Sequence, residues 1–199
     1  MTRLYIVRHG QSVYNLEHIL QGHLNSPLTE RGIRQAYCAK KYLRRYRFDT
    51  AYSSDLKRAH KTGEIILEGR DMKIHNSRKL RERDYGELDG WSTFEIRKNG
   101  YFTADISAFG GENTDDVAER SFREFTRIAR KEEDKKVLIT THETMITYLL
   151  KTIDPERFKD AADGCKLIPN CSLTVLDYKN GQFHIVRYGQ NDYIDEELR

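Results

Sequence analysis

Leu4-Tyr5-Ile6-Val7-Arg8-His9-Gly10 is the stretch on which the fold turns. A short apolar run closed by glycine reads as a strand buried on both faces of a sheet, because only a covered strand can dispense with polar alternation. Such a strand carries Arg8 and His9 to its C-terminal end. Val137-Leu138-Ile139-Thr140 repeats the pattern ahead of His142, and Thr50-Ala51-Tyr52-Ser53 forms another short strand.

Helical spacing follows each strand. Thr29 is placed to cap a helix whose Ile33, Ala36, Lys40 and Leu43 recur on one side, Lys40 marking the edge of the stripe. Ser54 is placed to cap a second helix with Leu56, Ala59, Gly63 and Ile66 on one face, which puts Arg58 in its first turns. Thr114 with Asp115 and Asp116 opens a third, since acidic groups complement the positive start of a helix; Ala118, Phe122, Phe125 and Ala129 form its stripe. Met145, Ile146, Leu149 and Ile153 continue beyond His142 as a fourth. Leu173, Val175, Phe183 and Ile185 alternate around Asn180-Gly181, a favoured turn dipeptide, so the chain closes on a hairpin. These elements predict an α/β protein: a three-layer α/β/α sandwich with a mixed, mainly parallel sheet, forming one domain over residues 1–199. Between about residues 78 and 112 the pattern breaks into charges, glycines and scattered aromatics, which reads as a lid excursion holding short helices.

Composition narrows the function classes. The 34 basic and 31 acidic residues give a formal charge of +3, too balanced for a general pull toward nucleic acid or an anionic membrane. The densest basic run, Lys40, Lys41, Arg44, Arg45 and Arg47, is interleaved with Tyr42 and Leu43 and reads as the wet face of a helix. Three cysteines, at 38, 165 and 171, show neither a disulfide framework nor zinc spacing and read as reduced thiols. With no signal-peptide core and no long apolar stretch, the expected location is the cytoplasm.

Ligands of open α/β sheets bind beyond the carboxyl ends of the strands, and this arrangement brings His9, Arg58 and His142 to that edge from separate strand-helix junctions. Arg8 and Arg58 can grip a phosphate through paired N–H groups. A neutral imidazole can attack phosphorus and hold the phosphoryl group covalently, and nearby cations keep it unprotonated. Each residue alone has a structural explanation; the combination points to phosphoryl transfer.

Arg8-His9-Gly10 with Gln11, Ser12 and Asn15, then Gln21-Gly22 and Ser26-Pro27-Leu28-Thr29, resembles the histidine phosphatase superfamily, also called the phosphoglycerate mutase-like family. Ser53-Ser54-Asp55-Leu56-Lys57-Arg58-Ala59, Leu80-Arg81-Glu82 with Gly86 and Gly90-Trp91, Gly111-Glu112-Asn113 and finally His142 continue the resemblance in order along most of the chain. The resemblance implies that His9 is the phosphorylated nucleophile and Glu82 the proton donor. Arg8, Arg58 and His142 would form the phosphate pocket, with Asn15, Gln21 and Gly22 as further contacts and Arg83, Tyr85 and Glu143 as candidate substrate contacts. A leaving alkoxide needs a proton, and a carboxyl group beside a bound dianion is raised toward neutrality, which suits Glu82.

Gln11 and Ser12 stand where the family often has Glu and Thr. The position after His142 departs further: family members often carry glycine there, whereas this chain has Glu143. A carboxylate there would repel anionic substrate groups and favour neutral or cationic ones, or it simply complements a helix start.

The sequence thus predicts a metal-independent phosphatase acting on a small phosphorylated metabolite, with no cofactor, no nucleic acid and no membrane partner. A cofactor-dependent phosphoglycerate mutase is the rival, because Glu82-Arg83-Asp84-Tyr85-Gly86 is similar to the mutase branch. 2,3-Bisphosphoglycerate would then be its cofactor. Against that rival, Trp91-Ser92-Thr93 follow Gly90 where mutases usually place a lysine, and no arginine occurs between Gly100 and Glu119. A catalytically silent phospho-ligand binding module is the third reading, opposed by the full set of His9, Arg58, Glu82 and His142. The lid aromatics Trp91, Phe94, Tyr101 and Phe102 either pack the lid or meet a ring-bearing substrate. The physiological substrate and the oligomeric state are not encoded in any readable pattern.

Overall fold

The computed structural model describes residues 1–161 and 167–199. Its centre is a six-stranded sheet in the order β3-β2-β4-β1-β5-β6. The strands are β1 (Thr2–Arg8), β2 (Thr50–Ser54), β3 (Ile74–Ser77), β4 (Lys136–Thr141), β5 (Leu173–Lys179) and β6 (Gln182–Gln190). The first four run parallel; β5 pairs antiparallel with β1, and β6 with β5. The β5–β6 turn is Asn180-Gly181, both with positive φ as the favoured two-residue hairpin requires.

Helices are α1 (Val13–Leu16), α2 (Glu30–Leu43), α3 (Lys57–Leu67), α4 (Thr93–Lys98), α5 (Thr114–Lys131) and α6 (Glu143–Ile153). Alternate residues of β1 point to opposite layers. Leu4 and Ile6 join Val137 and Ile139 against Phe125 and Ile128 of α5 and Met145 and Leu149 of α6. Tyr5 and Val7 join Ala51 and Leu138 against Ala36, Ala39 and Leu43 of α2 and Ile65 and Ile66 of α3. Each fully buried aliphatic side chain contributes roughly 1.5–3 kcal/mol, so both layers hold the parallel strands in place. This is the expected mixed, mainly parallel α/β architecture.

Two local expectations are corrected, and one strand was not foreseen. The buried face of α2 is Gly32, Gln35, Ala36, Ala39 and Leu43, whereas Ile33 is exposed, because the helix rolls to let Gly32 touch the Gly10–Gln11 backbone. A Cβ on Gly10 would lie 2.4 Å from the Gly32 carbonyl oxygen, so only glycine permits this approach. Strand β3, a four-residue half-buried edge, gave no apolar signal. The cap of α3 is Leu56, without a side-chain hydrogen bond; Ser54 sits further back and faces a histidine instead.

Residues 78–112 contain two 3-10 turns, α4 and a third 3-10 turn, with an apolar cluster of their own formed by Tyr85, Leu88, Ile96, Phe102 and Ile106 around Leu20. Trp91 and Phe94 are exposed, while Tyr101 packs on the cluster's edge. The basic residues Lys41, Arg44, Arg45 and Arg47 are exposed as expected. Cys38 and Cys171 are free thiols, and Cys165 lies outside the described residues. Among the described residues no helix is long and apolar enough to cross a membrane.

Candidate active site

The register Arg8↔Thr141 and the hydrogen bond from the His9 amide to the Thr141 carbonyl (3.0 Å) place His9 just beyond the sheet, beside His142 at the start of α6. The two rings meet edge to face with centroids 5.2 Å apart, and both are buried. His9 Nδ1 lies 2.7 Å from the Gly10 carbonyl oxygen. A carbonyl can only accept, so Nδ1 carries the proton and Nε2 presents its lone pair. That lone pair faces Arg58, whose Nε donates to it at 3.3 Å.

Arg58, near the start of α3, is 1% exposed. Its Nη1 and Nη2 donate to the carbonyls of Leu24 (2.8 Å) and Gly22 (2.9 Å). Burial lowers its pKa to about 10, which leaves it charged at neutral pH. Burial first, and then the charges of Arg58 and Arg8, push His9 well below the ordinary histidine range. Burial does the same to His142, with Arg58 the next cause. Desolvation stands ahead of like charge as the source of the His9 shift.

The turn that supplies the Arg58 acceptors is fixed from the excursion. Gly22 has φ +41°, and a Cβ there would fall 1.8 Å from Asp89 Oδ1. Asp89 Oδ2 accepts the His23 amide at 2.9 Å, and burial raises the Asp89 carboxyl to about 7.

Glu82 is 9% exposed. Its carboxylate accepts the amide of Arg83 (2.9 Å) and, more loosely, that of Thr144 in the first turn of α6 (3.4 Å). Its backbone is clamped from both sides. Arg81 makes a two-pronged bond to Asp55 (2.7 and 2.6 Å). Arg120 pairs with Glu112 and donates to the carbonyls of Lys79, Arg81 and Glu82.

A cavity of about 110 Å³ gathers Arg8, His9, Asn15, Gln21, Gly22, Arg58, Glu82, Tyr85 and Glu143. An outer cavity of about 480 Å³ shares Arg8, Asn15, Ile19, Thr93, Phe102 and Glu143 with it and extends to Tyr14, His18, Arg31 and Arg97. Thr93 and Phe102 of the excursion thus wall both spaces. Arg8 Nη1 lies 2.7 Å from Glu143 Oε2 and donates to the Ile168 carbonyl at 2.6 Å.

His142 stands behind the inner cavity, against His9. Like His142, Arg83 is a predicted contact outside the lining of both cavities, and it lies within the excursion. It is fully buried within the excursion, donating to the carbonyls of Glu112 (2.8 Å), Phe102 (2.7 Å) and Ala104 (3.5 Å) with its guanidinium over the Tyr85 ring. It braces the segment and lines neither cavity.

Sequence reasoning missed several supports. Thr62 Oγ1 receives the Gly10 amide (3.0 Å) and donates to the Arg58 carbonyl (2.8 Å). Asn170 Nδ2 holds the His9 carbonyl at 3.0 Å. Ser54 Oγ lies 2.8 Å from His142 Nε2. The signal for Ser54 was a serine pair closing a strand whose every residue is buried, where a hydroxyl requires a partner.

The arrangement offers one unprotonated ring nitrogen, guanidinium groups around it and a carboxylate across the cavity, the parts of a phosphoryl-transfer site. Residues 4–191 match the family described as histidine phosphatase superfamily (branch 1), and the chain belongs to that family. Among its relatives, the uncharacterized phosphatase PhoE of Bacillus subtilis (strain 168) is 30% identical over 98% of this chain and 97% of its own. A 2,3-bisphosphoglycerate-dependent phosphoglycerate mutase of Methylobacterium radiotolerans is 34% identical over 76% of this chain and 78% of its own. The solved structure of Bacillus stearothermophilus YhfR superposes with a TM-score of 0.86 at 29% identity, covering 98% of this chain and all (100%) of that one.

Proposed function

We propose that the protein is a metal-independent phosphatase that hydrolyses a small phosphate monoester through a phosphohistidine on His9, with Glu82 as proton donor. The observation that carries this reading is the His9 tautomer: Nδ1 is committed to the Gly10 carbonyl and Nε2 is aimed at Arg58. Arg8, Arg58 and His142 hold the phosphoryl oxygens, with Asn15, Gln21 and Gly22 at the rim. The guanidinium groups supply the charge stabilisation that a metal ion supplies elsewhere.

His9 Nε2 attacks phosphorus as the ester P–O bond breaks, and the departing alkoxide takes the Glu82 proton. The Glu82 carboxylate then removes a proton from water, the hydroxide attacks phosphorus, and the P–N bond breaks to release inorganic phosphate. His9 returns neutral and Glu82 protonated. The 78–112 excursion serves as the lid. Among the remaining cavity residues, Tyr85 and Glu143 contact the substrate body.

The likeness to a mutase favours a second reading, return of the phosphoryl group to a phosphorylated acceptor. The Arg8–Glu143 pair argues for hydrolysis, since it places a negative charge where a second anion would enter. The test is purified protein in EDTA, assayed for phosphate release from p-nitrophenyl phosphate and for 2-phosphoglycerate formation from 3-phosphoglycerate, beside His9→Ala. Phosphate release that vanishes in the variant is expected. Isomerisation stimulated by 2,3-bisphosphoglycerate would replace the phosphatase by the mutase, and silence in both assays would favour a binding module.

A further inference from the structure

We infer that Ser54 is a positioning residue that fixes His142 in the tautomer with its proton on Nδ1. The inference rests on the reading of His142 as a phosphate ligand. Ser54 closes β2 and is wholly buried. Its Oγ accepts the Leu56 amide at 3.2 Å and lies 2.8 Å from His142 Nε2. A hydroxyl has one proton and two lone pairs. With one lone pair on the Leu56 amide, the remaining question is whether Nε2 donates or accepts.

Were Nε2 the donor, the Ser54 proton and the bare Nδ1 would both be buried without a partner among the described residues, whereas a donating hydroxyl leaves only Nδ1 unmatched. The hydroxyl therefore donates to Nε2, and the ring proton goes to Nδ1. That atom is buried and without a hydrogen-bond partner among the described residues. That leaves an unmatched donor on the ring packed against His9, available to a phosphoryl oxygen that reaches it.

The result is a division of labour between neighbouring rings. The Gly10 carbonyl gives His9 a bare Nε2 for attack. The Ser54 hydroxyl gives His142 a protonated Nδ1 for donation. Because burial keeps His142 neutral, it donates without adding a charge that would raise the cost of leaving His9 unprotonated or impede phosphate release. A hydroxyl is suited to this role where a carboxylate is not: an anion there would draw a second proton onto the ring.

The experiment is ¹⁵N NMR of the full chain labelled at histidine, near pH 7.5, with His142 assigned by its loss in His142→Gln. The expected wild-type signature is a protonated Nδ1 and an unprotonated Nε2. Ser54→Ala shifts the ring toward the Nε2–H form or a mixture and weakens vanadate binding about tenfold, the size of one neutral hydrogen bond. Ser54→Thr keeps the hydroxyl and restores both. An Nε2–H ring in the wild-type protein, or an Nδ1–H ring unchanged in Ser54→Ala, overturns the inference, and the wild-type spectrum decides even if a variant does not fold. Absent phosphatase activity alongside the expected tautomers would sink the functional reading and leave this one standing.

Discussion

The sheet edge and the 78–112 excursion hold their polar groups by different mixtures of main-chain and side-chain bonds. At the edge, His9 and His142 are placed by main-chain pairing between β1 and β4, and the histidines have only to choose tautomers. In the excursion no strand is present, and Arg83 and Arg120 hold the backbone through bonds to its carbonyls. The difference teaches that strand pairing sets the frame of the edge, which Thr62 and Asn170 only supplement, whereas the strandless segment adds buried guanidinium groups to its main-chain bonds as scaffolding.

Arg58 tests the edge most severely, because it serves His9 and the Gly22 and Leu24 carbonyls at once. Arg58→Ala is expected to lower kcat/KM for p-nitrophenyl phosphate by about 10³- to 10⁵-fold, the range for losing an arginine that stabilises a phosphoryl transition state. Arg58→Lys keeps the charge but cannot reach all three acceptors, so it recovers only part of that loss. Near-normal activity in Arg58→Lys would mean that charge alone, and not the three-way geometry, organises the edge.

Arg83 tests the other side. Arg83→Met removes the donors that tie Phe102 to Glu112, and hydrogen exchange of amides within 81–112 is expected to accelerate about 10- to 100-fold, as one or two lost buried bonds imply. Amides of β1 and β4 should keep their protection. Equal acceleration in those strands would show that excursion and sheet open as one unit, and the contrast would collapse.

The same contrast explains what the sequence disclosed. Strands β1 and β4 were legible because continuous apolar runs have few alternative uses, and with the shorter, more polar β2 they brought His9, Arg58 and His142 together. The half-buried β3 carried no such run. Arg83 was a candidate substrate contact only through the family resemblance, but its guanidinium turns into the excursion's interior and bonds the Phe102 and Glu112 carbonyls. Ser54 looked like a helix cap because serine favours that role; only the nearness of His142, a contact 88 residues away in sequence, redirects it. The His142 tautomer depends on that distant pairing, which periodicity does not encode.

Glu143 should give the smallest effect and the sharpest reading of how the two regions meet, since it pairs with Arg8 at the edge while lining both cavities. An incoming phosphate must share Arg8 with this carboxylate. Glu143→Gln keeps a hydrogen-bond acceptor for Arg8 and removes the charge, so inorganic phosphate should inhibit about three- to tenfold more strongly, the scale of a partly exposed ion pair near 1 kcal/mol. Substrates with a second anionic group near the ester should gain relative to neutral ones, because the repulsion that penalises them is gone. Unchanged phosphate inhibition and an unchanged substrate order would return Glu143 to an acidic residue in the first turn of α6, serving the helix dipole and nothing at the site.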